Sequence, residues 1–314
     1  MTLTSGRARS SAAHVATLCL IAIQVGIGVL IKSSQGSSGR FGYSPTSSVT
    51  ISEFLKLLVS LCLFALECSR RARQGVRPRN HRDGNGYALV ATSPDDDPKD
   101  DSGEDGDGSP LRLTLSLFWQ YVCGEIPTRT RYDIYNLALL YVLVNNTIFA
   151  CYKLSDPGTI ALIKGSGAAV TALLSVAAIG TTISSWQWAA IALQLCGIAI
   201  TQYRPNGEAA YSLTTYLLLA FHVLVGAAAG VYNQVLLKRE AAASLHASNM
   251  ILYAAGCVFN LVAYLIVYQT APGEPSFFDG YNKLSAVLVI VSNVFVGLAV
   301  TAVLKCTWAS FPPC

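Results

Sequence analysis

The sequence predicts an all-α membrane protein, a bundle of transmembrane helices with about eight spans, and three observations carry that expectation. Of its 314 residues 52% are apolar and 13% charged, where a soluble domain carries roughly 25% charged residues. Mean hydropathy is +0.45. The charges are also bunched, since residues 68–112 hold eight of the 22 Lys and Arg and nine of the 18 Asp and Glu. Outside that stretch the chain runs in apolar blocks close to the ~20 residues that a membrane helix needs, without the alternation of a barrel strand.

The expected spans are 14–31, 47–67, 134–154, 157–179, 186–203, 211–237, 247–269 and 284–305. No small-x-small cleavage site follows the first apolar run before Lys32, so it reads as a span rather than a signal peptide. The second span is followed at once by Arg70, Arg71, Arg73, Arg77, Arg79 and Arg82, and then by the acidic, Gly- and Pro-rich run TSPDDDPKDDSGEDGDGSP, too polar to bury a core and expected to be disordered. That run lacks the acid, glycine and glutamate order of a calcium loop. Residues 111–123 are apolar but short, as in an interfacial helix. Arg7 and Arg9, the arginine cluster and the Lys238-Arg239 pair all fall on one side of the membrane in this scheme. The excess of positive charge on cytoplasmic loops then makes the N-terminus, the insertion 68–133 and the chain end cytosolic, with loops 32–46, 204–210 and 270–283 on the far side. The chain divides accordingly into 1–67 with two helices, the cytosolic insertion 68–133, and helical blocks 134–203 and 204–314.

Several classes are set aside. A net charge of +4 without a basic, aromatic-studded face gives nucleic-acid binding little support. Cys19, Cys62, Cys151, Cys196 and Cys257 lie within apolar runs, and His14, His81, His222 and His246 show no ligand spacing, so no metal and no cofactor is expected. An H-x-x-x-x-D motif, paired carboxylates within a span and a Ser/His constellation are all missing, which argues against an enzyme.

The informative residues are polar groups inside the spans, where they are costly unless they face a cavity or a partner helix. Glu53 and Lys56 stand three apart in SEFLKLLVS, as a structural ion pair or as part of a pocket. Tyr141, Asn145, Phe149 and Tyr152 recur at helical spacing, and with Asn146 they could hydrogen-bond and stack on a planar base; the plainer alternative is an Asn pair bonding a neighbouring helix. Lys153 suits snorkelling, while Lys164 is divided between anion binding and snorkelling. Gly226 and Gly230 suit close helix packing ahead of Tyr232, Asn233 and Gln234. Asn249, Tyr253, Asn260, Tyr264 and Tyr268 in the seventh span, and Asn293, Gly297, Thr301 and Lys305 at four-residue steps in the eighth, extend a polar seam of the kind a solute path needs.

In combination these residues resemble the nucleotide-sugar transporters of the drug/metabolite transporter superfamily, in the branch of CMP-sialic acid, UDP-galactose and UDP-N-acetylglucosamine carriers. Ser52 to Leu58 is similar to the E-x-x-K-L-L second helix, and Leu140-Tyr141 with Asn145-Asn146 to L-Y-x-x-x-N-N. Trp188 with Gly197 to Gln202 resembles the fifth helix, and Gly230-Val231-Tyr232 with Lys238, Ser244, Asn249, Tyr253 and Gly256 resembles G-V-Y-x-E-x-x-x-K leading into S-x-W-x-R-N-x-x-L. Phe277 to Tyr281 resembles an F-x-x-G-Y loop. Departures are Gly167 at the fourth-helix lysine position, Gln234 for glutamate, Ser248 for arginine and Cys306 for tyrosine.

The resemblance implies a ten-helix, inverted-repeat antiporter of the Golgi or endoplasmic reticulum membrane. It exchanges a cytosolic pyrimidine nucleotide sugar, UDP-galactose or UDP-N-acetylglucosamine ahead of CMP-sialic acid, for lumenal nucleoside monophosphate. The implied substrate-binding residues are Tyr141, Asn145, Asn146, Phe149, Lys164, Tyr232, Asn249 and Lys305, with Glu53 and Lys56 as a helix ion pair. Block 134–203 then completes the first repeat and 204–314 is a second repeat two helices short, so the chain as written is expected to be unstable or inactive in transport. The rival expectation is a non-transporting membrane partner, pairing with a second copy or with glycosyltransferases through the insertion.

Overall fold

Pro45 opens the first long helix because its fixed φ suits the first helical position, where an amide hydrogen is not needed. This helix, α1 (Pro45–Arg73), is followed by α2 (Thr128–Leu154), α3 (Pro157–Gly165), α4 (Gly167–Ile179), α5 (Ser185–Gln202), α6 (Leu213–Arg239), α7 (Leu245–Thr270) and α8 (Leu284–Ala309). The computed structural model describes residues 23, 26–36, 39–73, 126–203, 210–239 and 244–309, the side chains of 71–73 and 301–309 excepted. Among the described residues the only β pairing is an isolated bridge between Gln35 and Phe41. The protein is thus an all-α membrane protein.

Helices stand at the second to eighth expected spans, with two differences of detail. Of the first span only residues 23 and 26–31 are described, and they are helical; most of that span, the segment 111–123 and residues 74–125 of the insertion lie outside the described residues. The fourth span is two helices, α3 and α4, interrupted at Ser166 between Gly165 and Gly167. Its freed backbone groups are met locally, as bilayer interiors require: Ser166 Oγ donates to Ile163 O at 2.6 Å, and Gln194 Nε2 of α5 donates to Gly165 O at 3.1 Å. Among the described residues, five helical stretches are long and apolar enough to cross a membrane, namely 45–70, 128–154, 157–179, 213–239 and 245–270, while Leu284–Val300 is apolar over a shorter length. Helix α5, at the fifth expected span, is 18 residues long and is not among the five.

Helix ends follow from local sequence. Asp156 caps α3 by accepting from Thr159 N at 3.0 Å, ahead of Pro157. The hydroxyl of Tyr211 donates to Asp156, which holds this carboxyl below the usual carboxylate range. Ser184 and Gln187 form a capping box at α5, and Gly180 takes a left-handed φ of 70° to end α4. The last carbonyls of α2 are capped from the preceding chain: Lys32 Nζ donates to Tyr152 O at 3.1 Å and Gln35 Nε2 to the same oxygen at 2.9 Å.

Among the described helices the most extensive packing joins α1 to α7, followed by α2 to α6, α2 to α7, α4 to α6 and α1 to α8. Two apolar clusters result. One gathers Phe64, Ile134, Leu137, Leu236, Leu252 and Tyr253; the other gathers Ile31, Phe41, Tyr43, Val49, Phe149 and Val289. Beside the second cluster, the loop before α1 meets the loop after α7. Gly280 (φ +83°) is required there, since an added Cβ would lie 2.2 Å from Gly42 O. Ser44 Oγ donates to Glu274, and the Ser47 and Tyr281 hydroxyls are 2.6 Å apart. Burial pushes both Tyr43 and Tyr281 up to about 12, against the opposing effect of hydrogen bonds to serine.

Candidate functional site

A cavity of about 230 Å³ opens between α1, α2, α7 and α8, where the two apolar clusters meet. Ile31, Val49 and Phe149 on its wall belong to one cluster, and Ala138, Leu252 and Tyr253 to the other. Its polar lining comes from every one of the four helices: Ser52, Glu53 and Lys56 from α1, Tyr141 and Asn145 from α2, Tyr253 and Asn260 from α7, and Asn293 from α8.

Glu53 and Lys56 are 5% and 6% exposed, and Lys56 Nζ donates to Glu53 Oε1 at 2.5 Å. The i, i+3 spacing puts them on one helix face. Lys56 Nζ also lies 5.0 Å from the centre of the Tyr253 ring, within cation–π range. Glycines on two facing helices make the room. A Cβ at Gly256 would lie 3.1 Å from Glu53 Oε2, and one at Gly297 would lie 2.7 Å from Lys56 Cδ. Tyr253 closes this corner by donating its hydroxyl to Gly297 O at 3.2 Å.

On α2 the tyrosine and the first asparagine turn inward. Tyr141 OH accepts from Asn233 Nδ2 at 3.1 Å, which fixes its ring at the cavity edge. The Phe149 ring is held edge-on by Phe41, with centroids 5.4 Å apart. Asn146 faces a neighbouring helix instead. Its Nδ2 donates to Val142 O and to Asn260 Oδ1, both at 2.8 Å, and Asn260 in turn donates to Gly256 O at 2.7 Å. Both amide hydrogens of Asn146 are therefore used, and its Oδ1 is buried without a hydrogen-bond partner.

The cavity thus brings together Tyr141, Asn145, Phe149, Glu53 and Lys56 from the expected set. Lys164 sits on α3 outside the cavity lining, and His222 Nδ1 of α6 is 3.1 Å from Thr147 Oγ1. Tyr232 donates to Asp133 Oδ1 at 3.0 Å near the end of α6, where Arg239 also pairs with Asp133. Asn249 borders a small separate crevice with Asn233 and Leu252. Lys305 lies on α8 with its side chain outside the described residues. Residues beyond that set are Ser52, Tyr253, Asn260 and Asn293. The signal for the last three was their shared face in the polar seam, whereas Tyr264 of the same face donates to Pro275 O at 3.4 Å, away from the cavity.

With this geometry in place, comparison with known proteins becomes specific. A family model described as "Nucleotide-sugar transporter" matches residues 129–308. The chain belongs to the nucleotide-sugar transporter family. This family member is 25% identical over 268 residues to CMP-sialic acid transporter 3 of Oryza sativa subsp. indica, covering 83% of this chain and 56% of that protein. CMP-sialic acid transporter 3 of Arabidopsis thaliana is 23% identical over the same shares. CMP-sialic acid transporter 4 of Oryza sativa subsp. indica is 24% identical, over 88% of this chain and 60% of that protein. This nucleotide-sugar transporter family chain therefore spans less than two thirds of the length of these relatives. The family and the relatives are transporters, not enzymes.

Proposed function

We propose that this family member is an antiporter of the Golgi or endoplasmic reticulum membrane, exchanging a cytosolic pyrimidine nucleotide sugar for lumenal nucleoside monophosphate. One observation carries the proposal: four helices converge on a cavity whose wall combines three asparagine amides, three aromatic rings and an amino group. Those are the groups that a base and a phosphate require. Asn145 hydrogen-bonds the base edge, Tyr141 or Phe149 supplies the stacking surface, and Lys56 faces the phosphates. Asn146 contributes by fixing Asn260, and Lys305 and Lys164 are further phosphate contacts in other states of the transport cycle. Tyr232 and Asn249 are further proposed substrate contacts outside this cavity.

The cavity of about 230 Å³ is smaller than a whole nucleotide sugar needs. Loading the sugar end accordingly requires the helices to part, as in alternating access between the halves of an inverted-repeat carrier. The proposed halves are residues up to 203, with the cytosolic insertion 68–133, and residues from 204 on. UDP-galactose and UDP-N-acetylglucosamine are two candidate substrates, and the relatives' names add CMP-sialic acid as an equal third. Trans-stimulation tests the proposal: liposomes containing the 314-residue chain are preloaded with UMP or CMP and given each labelled nucleotide sugar. Acceleration by the matching monophosphate would support the proposal and remove the expectation of inactivity drawn from the span count, and uptake indifferent to every preload would overturn it.

A further inference from the structure

The Glu53–Lys56 pair is built at some expense, although it links no two helices. Both residues are on α1, so their 2.5 Å contact ties α1 to nothing else. Burying two charges is unfavourable unless geometry and extra contacts offset it, and an apolar pair of similar volume is often the more stable choice. Two other helices have nevertheless given up side chains for it, at Gly256 and Gly297. The pair also does not hide from the cavity, since both residues line it; among the described lining residues Lys56 is the single cation and Glu53 the single anion.

A phosphate entering this cavity therefore meets a cation that is already occupied. It meets beside it a carboxylate that repels it. Resting on the transport reading above, we propose that Glu53 is a built-in stand-in for the substrate phosphate: it neutralises Lys56 in the empty cavity and is displaced when a nucleotide binds. The exchange is purely electrostatic and moves no covalent bond. Glu53 keeps its place against Gly256 while Lys56 turns from it to the phosphate, so Lys56 is paired in both states. The nucleotide is then held weakly enough to leave, because each departing phosphate is replaced by an internal anion rather than by an empty, dry site.

The test is the ratio of affinities for UMP over uridine, and for CMP over cytidine, measured on the purified full chain. Glu53→Gln removes the competitor and the repulsion together, so the ratio for the preferred base rises at least tenfold while nucleoside affinity stays within about twofold. Lys56→Gln brings the ratio down to one or below. Glu53→Gln also melts at a lower temperature than the unaltered chain when empty, and millimolar inorganic phosphate raises its melting temperature more than it raises that of the unaltered chain. Should Glu53→Gln fail to fold, Glu53→Asp retains the charge with a shorter reach and raises the ratio about threefold. A ratio unchanged or lowered in the folded Glu53 variant overturns the stand-in role. An unaltered chain that binds no nucleotide or nucleotide sugar overturns the transport reading and this inference with it, whereas normal binding with an unmoved ratio overturns the inference alone.

Discussion

Helices α1 and α7 make the most extensive contact among the described residues, and the polar groups along it are held at three levels. Ser44 donates to Glu274 at one end, Glu53 and Lys56 nest against Gly256 and Tyr253 in the middle, and Ser244 donates to Glu67 at the other end. Helices α4 and α5 are the opposite. Neither contains a buried residue, and Trp186, Leu193 and Ile200 of α5 are 86%, 76% and 74% exposed. Yet α4 is the more uniformly apolar of the two kinds of helix, an Ala-, Val- and Leu-rich stretch without a charge. Lipid tails are as apolar as leucine, so apolar surface gives a membrane helix no reason to face inward. The interior of this protein is marked by its polar residues and by the glycines that seat them.

The sharpest way to break this contrast is at the centre of the α1–α7 contact. Lys56→Gln leaves Glu53 buried without its cation, and the expected loss is about 3–5 kcal/mol, read as a fall in melting temperature in detergent. Little change there would mean that the pair does not hold its place. Next comes Gly280→Ala, which combines a left-handed φ with a contact 2.2 Å from Gly42 O. About 3 kcal/mol of destabilisation is expected, with increased proteolysis of the two loops as the independent readout. Asn145→Ala should leave folding intact and weaken nucleotide affinity by roughly 1–3 kcal/mol, the cost of one lost buried hydrogen bond; affinity within twofold of the unaltered chain removes Asn145 from base recognition. The smallest effect belongs to the exposed wall, where Leu193→Ala is expected to shift stability by less than about 0.5 kcal/mol. A drop of several kcal/mol there would reveal a buried role for α5.

Much of this fold was legible in the amino-acid sequence because the bilayer imposes a length on every apolar run. The helices fall where those runs fall, and the serine caps of α5 and α7 mark their starts. What was not legible is rotation. Asn145 and Asn146 are adjacent, about 100° apart around the helix, so a doublet that looks like one feature in the sequence must divide. Asn145 lines the cavity, whereas Asn146 spends both hydrogens on Val142 and Asn260. The same holds across helices. Lys164 was grouped with the site by its depth in an apolar span and Tyr232 by the family resemblance, but which neighbours they meet depends on how α3 and α6 lean against α2, a long-range property. The interruption at Ser166 was written in Gly165-Ser166-Gly167, three residues that tolerate a break without demanding one.

Because Glu53 and Lys56 share one helix, the positive and negative charges in the middle of this protein travel together. Any tilt of α1 past α7 in the empty protein carries both through the same displacement, and the net charge moved across the membrane by that pair is zero. A transmembrane voltage does about 2.3 kcal/mol of work per elementary charge per 100 mV, and on this pair the two contributions cancel except for the small dipole set by their 2.5 Å contact. Had the same two residues been placed on opposite helices, their separation would have made that motion voltage-dependent.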